Sequence, residues 1–151
     1  MGLAMILSGL QAATVRAIPP LPCTFWGTVY VDGASVLPGS VVSVWSGGVR
    51  WAETRTETVG TGEEAQVLYA VDVPGDDPET PQVEGPPPGA ALQFRIYRPH
   101  VGGLPAIANE TATWQSTDQA IELNLTATQP VPACVLHLPQ VGLHYHWGAG
   151  Q

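Results

Sequence analysis

The chain is predicted to be all-β, a seven-stranded Greek-key β-sandwich with extra terminal strands. Three observations predict it. Short stretches alternate apolar and polar residues with period two, the mark of a half-buried strand. Turn-forming pairs, Asp32-Gly33, Pro38-Gly39 and Gly47-Gly48, fall between those stretches. No stretch carries a helical period, and short strands separated by frequent turns define this class.

The first strand covers residues 24–32, TFWGTVYVD. Phe25, Val29 and Val31 share one face with Gly27 between them, and Trp26, Thr28 and Tyr30 share the other. Two turns lead to the second strand, 40–45, SVVSVW. Gly47-Gly48 supplies the positive φ of a tight hairpin. The third strand, 49–56, then sets Val49 and Trp51 against Arg50 and Ala52. A polar loop, 59–66, precedes the fourth strand, 67–73, with Val67, Tyr69, Val71 and Val73 on one face. Segment 74–89 holds six prolines, which bar a helix or a paired strand. Its length is unusual for a connection and marks it as a segment with a role. The fifth strand, 91–97, turns Leu92, Phe94 and Ile96 inward. A second long loop covers 98–109, a short sixth strand 110–114, and a seventh 119–126 with Ile121, Leu123 and Leu125 inward.

At 151 residues the chain suits one domain with extensions. Charged residues make up 12% of it, about half the usual share. Net charge is −8, and the five basic residues are Arg16, Arg50, Arg55, Arg95 and Arg98, scattered along the sequence. A nucleic-acid binder needs clustered positive charge to displace counterions, so that class is excluded, and an anionic membrane surface is disfavoured by the same sign.

Residues 1–18 carry an apolar run with Leu3, Met5, Ile6, Leu7 and Leu10. Two readings stay open: a cleaved export signal, although no basic residue precedes the run, or an arm that docks on a partner. The run is too short for a transmembrane segment. Residues 19–22 form a stiff Pro-rich spacer, residues 23–127 the domain, and residues 128–151 an extension. Cys23 and Cys134 lie at the two ends of the domain. A disulfide between them would close a loop of about 110 residues, worth ~4–5 kcal/mol in the chain-entropy model, and fits an exported protein. Two unrelated buried thiols are the alternative.

The stretch from Phe25 to Ala127 contains FWGTVYVDG, PGSVVSVWSGGVRWAETRT, YAVDVPGDD, EGPPPGAALQF and IELNLTA in that order. It resembles the transthyretin-like or carboxypeptidase-regulatory-like β-sandwich modules of bacterial and archaeal surface and secreted proteins. The resemblance covers about two thirds of the chain. It implies an immunoglobulin-like or transthyretin-like sandwich, an extracellular setting and an accessory or structural job without catalysis. Such a likeness speaks to fold before function.

The extension departs from that pattern. In 141–147, VGLHYHW, Val141, Leu143, Tyr145 and Trp147 alternate with Gly142, His144 and His146. This apolar face needs a partner: an edge of its own sheet, or a neighbouring subunit. Edge strands accept an added strand because their backbone groups are unpaired, and head-to-tail exchange propagates without closing.

Other candidate sites are weaker. Asp72, Asp76 and Asp77, with Glu79 and Glu84, form an acidic run that calcium could use, but without a fixed ligand spacing. His144 and His146, with His137 nearby, share a face, as transition-metal ligands do. Trp26 and Trp45 fall on the polar-alternating faces of their strands, where an aromatic could stack on a sugar ring. Asn109 and Asn124 head glycosylation sequons. No catalytic motif is present. The expectation is a non-enzymatic, cofactor-free extracellular structural or adhesive protein: a self-assembling, pilus-like filament subunit whose partners are copies of itself. Surface glycans or other surface proteins are further partners. The alternatives are a carbohydrate-binding accessory module and a fragment of a surface-layer protein.

Overall fold

A computed structural model describes residues 20–100 and 103–130. They form ten strands: β1 Cys23–Val31, β2 Ala34–Ser35, β3 Val41–Ser46, β4 Val49–Arg55, β5 Glu57–Val59, β6 Gln66–Val73, β7 Ala91–Tyr97, β8 Ala106–Thr113, β9 Ile121–Glu122 and β10 Leu125–Thr128. Among the described residues there is no α-helix, only a 3-10 turn at Gly62–Glu64, and no helix long and apolar enough to cross a membrane.

Alternation sets the core. Cys23, Phe25, Val29 and Val31 of β1 point inward, as do Tyr69, Val71 and Val73 of β6 and Leu92, Phe94 and Ile96 of β7. The Phe94 ring meets Phe25 edge-on at 5.5 Å and Tyr69 at 6.5 Å, the arrangement that ring quadrupoles favour. Trp114 fills one end of the core, and its Nε1 donates to the Val73 carbonyl at 3.2 Å. The turn pairs behave as their chemistry requires. Asp32 and Gly33 take φ of 56° and 77° between β1 and β2, and Gly47 and Gly48 take 58° and 83° between β3 and β4, the positive values of a type I′ hairpin.

The hydrogen-bonded order is β4-β3-β7-β8-β10-β1-β6-β5, with β2 and β9 also on β1. Two strands change partners along their length. The first six residues of β1 pair with β6, and its last three run parallel to β10. β4 pairs with β3, the chain bends at Thr56, and β5 pairs with β6. The ladder therefore starts and ends on one run of chain, 49–59, and the sheet is nearly closed into a barrel.

Four expectations change. β8 begins at Ala106, inside the expected loop, because its inward residues are the small Ala106 and Ala108 while the apolar Ile107 faces out. The strand expected over 119–126 breaks into β9 and β10 at Leu123 and Asn124. A β-bulge between Val44 and Trp45 shifts the β3–β4 register, so that Trp51 and Ala52 are both half-buried and Val49 is exposed. β5 forms across the boundary between the expected third strand and the polar loop.

Candidate functional site

Thr56 is where the barrel comes open. It is buried, although polar, because hydrogen bonds to Ser40 and Leu37 satisfy it. Its N–H donates to the Ser40 carbonyl at 2.8 Å, its Oγ1 donates to the Leu37 carbonyl at 3.0 Å, and Ser40 N–H donates to that Oγ1 at 3.1 Å. These bonds hold β4 against β3, while the next three residues join β6. β4 and the last five residues of β6 are left facing each other across a seam that no ladder closes. Outside the foot of the seam lies a cleft of about 350 Å³ lined by Trp26, Thr54, Arg55, Glu57, Val59 and Leu68. Trp26 is 37% exposed there, on the outer face that the alternation assigns it.

A polar lock closes the other partner change. A Cβ on Gly27 would stand 2.6 Å from the Leu123 carbonyl oxygen and 2.9 Å from Asn124 Oδ1, so β1 can approach this break only as glycine. Asn124 Oδ1 accepts from Thr28 N–H at 2.9 Å and Thr28 Oγ1 at 2.8 Å. Leu123 N–H donates to the Trp26 carbonyl at 2.7 Å, and Tyr69 OH donates to the Leu123 carbonyl at 2.7 Å. Beyond it, the Glu110 carboxylate accepts from the N–H and Oγ1 of Thr126 at 2.7 and 2.6 Å, and Asn109 Nδ2 donates to Thr126 Oγ1. Burial, reinforced by the Glu110 carboxylate, pushes the Tyr69 hydroxyl far above its ordinary range. The two sequon asparagines are exposed, yet both take part in this network: Asn124 Nδ2 donates to Glu122 at 3.2 Å.

The three aspartates are not brought together. Asp72 Oδ1 accepts from Thr24 Oγ1 at 2.6 Å, Asp76 Oδ1 from Glu84 N–H at 3.0 Å, and Asp77 Oδ1 from Glu79 N–H at 2.9 Å. Each carboxylate serves local structure, and two of them shape the Pro-rich loop. No group of three or more metal-binding side chains occurs among the described residues. The loop forms turns and bends only. With Pro20 and Trp114, its prolines line a cleft of about 700 Å³.

On the outer face of β3, β7 and β8, the Arg95 guanidinium lies 4.0 Å from the centre of the Trp45 ring, and Trp45 Nε1 donates to Ser43 Oγ. Trp45 is thereby half-covered. Arg95 also borders a groove of about 540 Å³ with Leu104, Ile107 and Pro130. Cys23 faces the core and carries a free thiol. Burial pushes its pKa up, against an opposing backbone hydrogen bond from Gln115. The expected disulfide is thus absent at Cys23, whose side chain is enclosed by the core; Cys134 lies outside the described residues. So do Leu3, Met5, Ile6, Leu7 and Leu10, the histidines 137, 144 and 146, and Val141, Leu143, Tyr145 and Trp147.

The seam and the lock escaped sequence reasoning. One signal for the lock was available: an asparagine amid alternating leucines, where strand propensity disfavours it. Compared with known protein families, with curated proteins and with solved structures, the chain matches none.

Proposed function

We propose that this chain is an extracellular, non-enzymatic structural module, a filament subunit joined to its copies by terminal β-strand addition. The observation that supports this reading is the all-β make-up of the described residues, whose apolar cluster includes Cys23 to Ala127; strand addition extends a fold of this kind, and Val141, Leu143, Tyr145 and Trp147 alternate in the sequence as a strand does. The reading includes the finer fold, a two-sheet Greek-key sandwich of transthyretin-like kind. The partner changes between Thr28 and Val29 and at Thr56 divide the ladder where such sheets would part. Negative-stain microscopy and light scattering test the function. Wild-type protein gives multimers or filaments, and deletion of residues 141–151 leaves single chains. Undiminished polymerisation of the deletion variant removes the C-terminal strand from the mechanism.

A second reading is favoured by one observation, the exposed Trp26 beside Thr54, Arg55 and Glu57. An indole flanked by hydrogen-bonding groups suits the apolar face and hydroxyl rim of a sugar. A glycan screen, with Trp26→Ala as the control, tests it: binding that survives the substitution places any sugar elsewhere.

A further inference from the structure

We propose that the cleft beneath the Pro-rich loop, residues 74–89, binds a small aromatic cation: an ammonium group on a short arm from a flat ring. The inference goes beyond the filament reading and does not depend on it.

The loop is long for a plain connection, and it is built as a fixed wall. It closes on itself at a neck where side chains have no room. A Cβ on Gly85 would stand 2.6 Å from the Gly75 carbonyl carbon, and one on Gly75 would stand 2.5 Å from Pro20 Cγ and 2.9 Å from Trp114 Cζ2. Past the neck, the backbone is tied to the end of β8. Gly89 N–H donates to the Trp114 carbonyl at 3.0 Å, and Trp114 N–H donates to the Ala90 carbonyl at 2.9 Å. The Trp114 indole is itself held by its bond to Val73. Loops that close on themselves are frequently functional, and a cleft shaped before binding spares the cost of ordering it.

The cleft volume, about 700 Å³, falls in the ~300–1,000 Å³ range of small-molecule sites. Its walls define the body of the ligand. Pro20, Pro78, Pro87 and Pro88 line it. Proline and aromatic rings are packing partners: grooves that bind Pro-rich peptides set aromatic walls against the ligand's prolines. Here the prolines are the wall, so the aromatic ring belongs to the ligand.

Charge defines the ligand's head. Asp76 is half-buried and is the one charged residue among the described residues that line the cleft. Its Oδ1 accepts from Glu84 N–H, which leaves Oδ2 for a donor from outside the loop. The loop adds Asp77, Glu79 and Glu84 and holds no Lys or Arg. A cleft bordered by one sign of charge concentrates the opposite sign, and an ammonium on a carboxylate makes a charge-assisted hydrogen bond, the stronger kind. This cleft shares no lining residue with the one at Trp26, so it is a separate site from the proposed sugar platform.

The test titrates the full-length chain by calorimetry with three probes that share an indole and a two-carbon arm. Tryptamine ends in an ammonium, tryptophol in a hydroxyl and indole-3-propionate in a carboxylate. Tryptamine should bind about tenfold tighter than tryptophol, and indole-3-propionate should bind most weakly. Asp76→Asn keeps the Oδ1 acceptor for Glu84 N–H. It should lower tryptamine affinity to that of tryptophol and leave tryptophol unchanged. Nuclear magnetic resonance on unmutated protein gives a readout that needs no folded variant: the amide signals of Gly89 and Gln115, both at the cleft, should shift as tryptamine is added. Equal affinity for the three probes overturns the proposal, because charge then selects nothing. Tryptamine binding that survives Asp76→Asn, or that leaves Gly89 and Gln115 unshifted, places the site elsewhere and overturns it too. If none of the probes binds, the proposal falls; deletion of residues 1–18 that then uncovers binding makes the chain's own arm, which leads into Pro20, the occupant. No outcome bears on the filament reading, which assembly alone decides.

Discussion

Replacing Gly27 with alanine tests the lock at one atom. The new Cβ would stand 2.6 Å from the Leu123 carbonyl oxygen and 2.9 Å from its carbon. These are backbone atoms that no rotamer change can withdraw. Relief requires β1 and the β9–β10 break to separate. That costs the Leu123–Trp26 backbone bond, the Thr28–Asn124 bond and the Tyr69–Leu123 bond. At about 1 kcal/mol each, the loss is about 3 kcal/mol, a large part of the ~5–15 kcal/mol that holds a domain folded. With about 4 °C per kcal/mol for a domain of this size, the melting temperature falls by ~12 °C. Thermal and urea unfolding followed by circular dichroism measure this. Gly33→Ala is the reference, because nothing lies within 4 Å of its Cβ and only its φ of 77° is strained; it should cost about 1 kcal/mol. A Gly27→Ala protein within 0.5 kcal/mol of wild type, on the order of ordinary surface substitutions, would refute the close approach.

Two further outcomes follow from buried groups. Tyr69 keeps its proton in the folded state after the unfolded chain, with an ordinary pKa of ~10, has begun to lose it. Stability from this group is complete below that pH and declines as pH rises beyond it. Tyr69→Phe should flatten that alkaline decline and cost about 1 kcal/mol at neutral pH through the lost bond to Leu123; an unchanged alkaline slope in urea midpoints contradicts the assignment. Cys23 should resist a maleimide in the folded protein and react once denatured without reductant, as mass spectrometry would show. Failure to react when denatured without reductant restores the bridge to Cys134.

Much of the fold was legible because period-two alternation reports burial directly. In β1, β6 and β7 the large inward residues alternate with polar ones, and their faces and turns came out as the pattern requires. The pattern failed where size rather than polarity decides. β8 hides its inward face behind Ala106 and Ala108, and Ile107 points the other way. The bulge at Trp51 breaks the count that alternation relies on. The lock and the seam are long-range features. Gly27 and Asn124 are far apart in sequence, and nothing local at Thr56 says that the next three residues will leave β3 for β6. Asp72, Asp76 and Asp77 suggested a metal because sequence shows carboxylates together; it does not show that each already has its own hydrogen bond.

The parallel pairing of β1 and β10, the first and last strands among the described residues, has a mechanical consequence. Val29, Tyr30 and Val31 lie beside Leu125, Thr126 and Ala127, with both strands running the same way. The described chain enters at the start of β1 and leaves at the end of β10, so tension applied to the two ends slides these strands past one another. The rungs are loaded side by side in shear and share the force, where a hairpin pulled from its open end would give way one bond at a time. Rupture then depends on the rate of forced opening, and a domain of this design would hold its ends together best when it is pulled along its own strands.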